Sequence, residues 1–150
     1  MKSHERFMRK ALVEAYLALG KGEVPIGAVV VCQGVIIGCG HNLRETLNDP
    51  TAHAEIIALR QAGEKLGTWR LSECSLYVTL EPCPMCAGAL VQARIKELIY
   101  GADDPKAGAA GTLLNIPQFP DWNHFVKIIS GILAEESQAL LQGFWKDKRK

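Results

Sequence analysis

Apolar residues recur at helical spacing near the start of the chain: Phe7, Met8, Ala11, Leu12, Ala15, Tyr16 and Leu19. That period predicts an amphipathic helix from about residue 4, closed by Gly20 and Gly22, with Arg6, Lys10 and Glu14 on its wet face. The period then vanishes. Residues 26–32, IGAVVVC, are nearly all apolar and rich in β-branched side chains, which predicts a strand covered on both faces. Gln33-Gly34 suits a two-residue turn, and VIIGC at 35–39 returns as a second strand. The polar stretch GHNLRETLNDPT follows. Asp49-Pro50 has the make-up of a helix start, an aspartate to cap free amides and a proline for the first turn. A helix is therefore expected from there through HAEIIALRQAGEKL to Gly67. SLYVTL at 75–80 predicts a third strand, Pro82-Cys83-Pro84 opens a helix carried by MCAGALVQA, and ELIYG at 97–101 predicts a fourth strand. ADDPKAGAAGT, residues 102–112, shows neither period. FVKIIS at 125–130 is a candidate fifth strand, and 134–145 forms a terminal amphipathic helix running into KDKRK.

The strand–helix–strand unit over 75–101 should be parallel, whereas the 26–39 hairpin is antiparallel by construction. The expected fold is thus α/β: one three-layer α/β/α domain, residues 1–150, around a mixed five-stranded sheet. Its 150 residues suffice for one core, and 48% hydrophobic residues is a globular composition. No apolar run approaches the roughly 18 residues of a membrane span. MKSHERFMRK is basic but lacks the apolar stretch of a secretory signal, so the expected location is the cytoplasm, with no membrane partner. Five cysteines, an odd number without a repeating frame, point in a reducing compartment to metal ligation or buried thiols. A net charge of +1 means that nucleic acid, if bound, would need a local basic patch.

Two short segments carry the chemistry: TAHAE at 51–55 and EPCPMC at 81–86. Cys83 and Cys86, three apart, lie on one side of a helical turn. At a helix N-terminus they are biased towards thiolate. Two thiolates and the His53 imidazole suit a tetrahedral zinc ion, and three protein ligands leave a fourth position for water. Glu55 is then the carboxylate able to carry that water's proton. His53 and Glu55 are two residues apart, so they do not share a helix face; both reach one water only if it lies near the helix end. A structural zinc closed by a fourth ligand such as Cys74 is the alternative on spacing alone. Cys32 and Cys39 read as buried hydrophobes, His4 and His124 as surface or capping residues, and His41 as lying near the site without ligating.

With these residues in view, the chain resembles the zinc-dependent nucleoside and nucleobase deaminases. His53-Ala54-Glu55 followed by Pro82-Cys83-Pro84-Met85-Cys86 is similar to their H-x-E…P-C-x-x-C pattern. VPIGAVVV, HNLRETLNDPTAHAE, TLEPCPMCAGAL and YGADDPKAGAAGT further resemble the bacterial tRNA-specific adenosine deaminases over nearly the whole length. Pro84 also follows the first cysteine in guanine and pyrimidine deaminases and does not discriminate among substrates. The resemblance implies a cytidine deaminase-like fold, one zinc per subunit, a homodimer, and hydrolytic conversion of adenosine to inosine at the wobble position of a tRNA anticodon loop. It implies that Glu55 protonates N1 of a flipped-out adenine and then the departing amine. By position, Asn42 would touch base or ribose, Asp104 a neighbouring sugar, and Lys106 a phosphate. Phe144 and Trp145 would flank flipped nucleotides by stacking, and the KDKRK tail would add positive charge. Each has a plainer use: Asn42 in holding its loop, Asp104 in a turn before Pro105, Lys106 as a solvated charge, the aromatics in helix packing. Two other functions remain: a guanine or other small-molecule deaminase of this fold, and a zinc-stabilised module without catalysis.

Overall fold

The computed structural model describes residues 2–148, and within them the two periods of the sequence become strands and helices in the expected order. These are α1 (Lys2–Gly20), β1 (Gly27–Cys32), β2 (Val35–His41), α2 (Ala54–Leu66), β3 (Cys74–Leu80), α3 (Pro84–Gln92), β4 (Glu97–Ala102), β5 (Lys127–Ile129) and α4 (Ala134–Lys148). The strands form one mixed five-stranded sheet in the order β2-β1-β3-β4-β5. β1 runs antiparallel to β2 and β3, and β3, β4 and β5 run parallel. Gln33 and Gly34 both have positive φ, 51° and 79°, and Cys32 pairs with Val35. That is the two-residue hairpin turn whose twist matches the strands.

Alternation along the strands splits the core in two. Ala28, Val30, Leu76, Val78, Leu98 and Tyr100 pack under α2 and α3. Val29, Val31, Tyr77 and Ile99 pack under Phe7, Met8 and Ala11 of α1. Because both faces are covered, β1 shows no polar alternation in sequence. α4 lies on the α1 face, where a Cβ on Gly101 would meet Ser137 Oγ at 2.8 Å. Helices on both faces make this the three-layer α/β/α architecture of the cytidine deaminase-like fold.

Four expectations need correction. α2 begins at Ala54, not at Asp49-Pro50. Asp49 Oδ1 instead accepts the Thr51 amide at 2.8 Å and the Thr51 hydroxyl at 2.7 Å, a local turn built from the same residue types as a helix cap. α3 begins at Pro84, with Cys83 just outside it. Tyr16 and Leu19 face outward, 60% and 36% exposed; the inward stripe of α1 is Phe7, Met8, Ala11, Leu12, Ala15 and Ala18. Glu14 is not simply on a wet face: its Oε1 lies 2.9 Å from His41 Nδ1, tying α1 to β2.

α2 comes closest to β2 at Gly38 and Gly40. A Cβ on Gly40 would collide with the Ala54 carbonyl and lie 2.8 Å from the Ala58 amide; one on Gly38 would collide with the Ala58 carbonyl. The strand therefore sets the height of the α2 N-terminus, and His53 precedes it directly. Gly40→Ala should cost about 1–3 kcal/mol, the range for overpacking a filled interior. Denaturant unfolding reads this as a lowered midpoint at unchanged slope; an unchanged midpoint would mean that α2 is free to ride outward.

Candidate active site

His53 and Cys83 occupy equivalent places. Each is the N-cap of its helix, with extended backbone (φ −80°, ψ 155° and φ −74°, ψ 174°), and neither side chain caps its own helix. Both side chains are thus left free to project off a helix end. Cys86 follows in the first turn of α3 and is fully buried. His53 Nδ1 lies 3.6 Å from Cys83 Sγ and 3.5 Å from Cys86 Sγ, and the three donor atoms all lie within 4.8 Å of one another. A tetrahedral zinc with Zn–S near 2.3 Å and Zn–N near 2.0–2.1 Å has N···S edges of about 3.6 Å, so these residues fit that ion.

The three donors are joined by hydrogen bonds, and Cys83 is the one held as thiolate. The Cys83 thiol is lowered to about 4, first by the hydrogen bond from Cys86 and then, against its burial, by His53 and the Cys86 amide. The same Cys83–Cys86 hydrogen bond, together with burial, pushes Cys86 up. His53 is raised, chiefly by its hydrogen bond to Cys83. Cys74 is not a fourth ligand. It begins β3 and pairs with Cys32, whereas the metal cluster lies beyond the far end of that strand, six residues or about 20 Å away. Among the described residues, the group able to hold a metal is His53, Cys83 and Cys86.

Glu55 lies in the first turn of α2 and is 4% exposed. Burial lifts its carboxyl to about 7, with the charge on Cys83 adding to the rise. A carboxyl poised there both holds and releases a proton near neutral pH. The N-cap position of His53 removes the spacing difficulty. The imidazole leaves the chain before the helix starts, so it and the Glu55 carboxylate converge beyond the helix end.

A cavity of about 580 Å³ opens over this cluster, within the roughly 300–1,000 Å³ typical of small-molecule sites. Its floor is His53, Glu55 and Cys83. Leu80, Ala102 and Asp103 bring in the C-terminal ends of β3 and β4, where open α/β sheets place ligands. Asn42, Asp104, Lys106 and Trp145 all line it. Asn42 also serves its loop: Nδ2 donates to the Val24 carbonyl at 3.4 Å, and Oδ1 accepts the Arg44 amide at 3.1 Å. Asp104 Oδ1 accepts the amides of Lys106 and Ala107 at 3.0 and 3.2 Å, so it is a turn residue as well. Trp145 is 49% exposed at the rim. Phe144 is not brought to the cavity. It is 8% exposed, edge-on to Trp145 with ring centroids 5.1 Å apart, and packs inward. Of the basic tail, Lys146 and Lys148 are in the last turn of α4; residues 149 and 150 lie outside the described residues.

The structure adds wall residues that the sequence did not single out. Gln138, Leu141 and Gln142 line the cavity together with Trp145. They stand at i, i+3, i+4 and i+7, so one stripe of α4 forms a wall; that spacing was the available signal. Arg44, two residues beyond Asn42, also lines the cavity.

A His/Cys/Cys cluster beside a buried carboxylate, at the strand ends of an α/β/α sheet, defines a class. The model of the MafB19-like deaminase family matches residues 2–149. The chain is 50% identical over 150 residues to the tRNA-specific adenosine deaminase of Bacillus subtilis (strain 168), covering 100% of this chain and 93% of that protein. It therefore belongs to the MafB19-like deaminases and, among them, to the tRNA-specific adenosine deaminase family. A structure from studies of A-to-I editing by tRNA:A34 deaminases at the wobble position superposes with a TM-score of 0.87 at 48% identity, covering 91% of this chain and 99% of that one. The guanine deaminase from Nitrosomonas europaea superposes with a TM-score of 0.79 at 28% identity, covering 93% and 83%. Among the described residues, no helix is long and apolar enough to cross a membrane.

Proposed function

We propose that the protein hydrolyses adenosine to inosine at the wobble position of a tRNA anticodon, releasing ammonia. The observation that carries this is one cavity lined by His53, Cys83 and the buried Glu55, with Cys86 close enough to complete the donor set. The three ligands would hold one zinc ion, which when bound supplies a Lewis acid that brings the pKa of water to about 7. Glu55 takes the proton from the attacking water, delivers it to N1 of the adenine, and then serves the departing amine. Asn42 orients base or ribose, Asp104 and Lys106 meet the backbone beside the target, and Trp145 offers a stacking face. Phe144 supports Trp145 from behind. The anticodon presents its base already unpaired, so little energy is needed to extrude it. Residues 1–150 act as one deaminase domain. The homodimer and the cytoplasmic location rest on the resemblance to the bacterial tRNA-specific enzymes.

Guanine is the comparison substrate, because the guanine deaminase shares the fold at lower identity. Purified protein given an arginine tRNA with wobble adenosine should form inosine, whereas free guanine should yield little xanthine and free adenosine little inosine. The small molecules lack the binding energy of the surrounding loop. Apparent RNA affinity should fall steeply with salt, with a log–log slope of about −0.7 per phosphate neutralised on a single strand. Rapid xanthine formation with untouched tRNA would replace this assignment by the small-molecule one.

A further inference from the structure

Glu81 is a buried carboxylate to which the proton chemistry gives no part. It follows the last residue of β3 and precedes Pro82-Cys83, and it is 2% exposed. Among the described residues, no lysine or arginine forms an ion pair with it. Its partners are hydrogen-bond donors from one loop. Oε1 accepts the Asp104 amide at 3.0 Å and the Thr112 hydroxyl. Oε2 accepts the Ala110 and Thr112 amides at 3.0 and 3.1 Å. Four donors fill the capacity of an ionised carboxylate. Although burial raises its pKa, these bonds more than compensate, and the group is held below the usual carboxylate range.

The main chain repeats the same attachment. The Ala109 amide donates to the Pro82 carbonyl, and the Glu81 amide to the Ala102 carbonyl, both at 2.9 Å. Gly108 closes over the carboxylate so tightly that a Cβ there would lie 2.5 Å from Glu81 Cδ. From Asp104 the order passes outward, because its Oδ1 fixes the amides of Lys106 and Ala107. Asp104 and Lys106 line the cavity that holds His53 and Glu55. One buried side chain, two residues from a metal ligand, therefore sets the place of two rim residues on a loop without regular structure.

We propose that Glu81 is a positioning residue for RNA: it clamps the 103–112 loop so that Asp104 and Lys106 stand at a fixed distance from the reacting centre. The RNA part of this rests on the function proposed above; the clamp itself does not. Glu81→Gln keeps the shape but turns one acceptor into an NH2 group facing amide or hydroxyl donors. If the loop then keeps its binding arrangement a tenth of the time, the Kd for RNA rises about tenfold.

The test compares wild type, Glu81→Gln and Thr112→Val, the last removing a single hydroxyl donor should Glu81→Gln fail to fold. The RNA probe is a labelled anticodon stem-loop already carrying inosine, which is not turned over. Glu81→Gln should raise its Kd about tenfold and flatten the salt slope by about 0.7 as Lys106 disengages. Thr112→Val should act in the same direction with a smaller change. Zinc content should stay at one per chain, and kcat at saturating RNA should stay within about threefold. The effects of Glu81→Gln and Lys106→Ala should be less than additive, since one acts through the other. Independently of RNA, exchange of the amides of Asp104, Ala110 and Thr112 should accelerate at least about tenfold, with α1 unchanged. Wild-type exchange at these amides, or a wild-type Kd and salt slope, would overturn the proposal. A wild-type protein that ignores the stem-loop would instead remove the tRNA function, with exchange still deciding the clamp.

Discussion

Glu55→Ala should lower kcat for inosine formation by about 10²–10⁴-fold or more while the protein keeps one zinc per chain. The two halves of this result come from different atoms. The candidate metal donors are one imidazole nitrogen and two sulfurs, and Glu55 is not among them. Its carboxylate lines the cavity from the first turn of α2, where burial lifts it to about 7. Alanine is a good helix former at that position, so the fold should tolerate the change. Glu55→Gln, which keeps the shape but cannot carry the proton, should be nearly as inactive. The measurement is single-turnover inosine formation on a wobble-adenosine stem-loop, beside elemental analysis of the same preparation. Full activity in Glu55→Ala would show that another group carries the proton, whereas zinc-loaded wild type that forms no inosine would leave only a zinc-stabilised module.

Cys83→Ala should show the complementary pattern: metal lost and activity gone with it. Removing one of three ligands is a heavier blow than removing a partner of a ligand, which itself weakens metal binding by about 10–100-fold. Stability provides a second readout. An ion that binds only the folded form stabilises it by about 2.7 kcal/mol at 100 times its Kd. Wild type and Glu55→Ala should therefore gain thermal stability on adding zinc, whereas Cys83→Ala and His53→Ala should gain almost none. A zinc-dependent rise in Tm for Cys83→Ala as large as wild type's would place the metal elsewhere.

What could be read from the sequence was what depends on near neighbours. Gln33-Gly34 announced the hairpin because Gly34 tolerates positive φ between two apolar runs. The ligands stood out because the C-x-x-C spacing and the H-x-E pair confine their geometry locally. The α2 start was misread because Asp49, Pro50 and Thr51 satisfy one another in a turn, and nothing within those residues distinguishes that turn from a cap. Phe144 and Trp145 are about 100° apart on their helix, and only Trp145 falls on the stripe that lines the cavity. Only the position of the sheet decides which of them does. The 102–112 loop had no legible pattern because its order comes from Glu81, 23 and 31 residues upstream of Asp104 and Thr112. The cavity wall on α4 was hidden for the same reason: its partners are distant in the chain.

The route of the chain to the metal has a consequence for assembly in time. His53 arrives from the antiparallel half of the sheet, through β2 and its loop, whereas the two cysteines arrive from the parallel half, at the start of α3. The halves meet only when β1 zips against β3. Before that event Cys83 and Cys86 stand without His53, and Cys32, Cys39 and Cys74 compete with them for an ion. Faithful loading is therefore a late step of folding. Zinc supplied too early during refolding should be scrambled among thiols rather than guide the chain home.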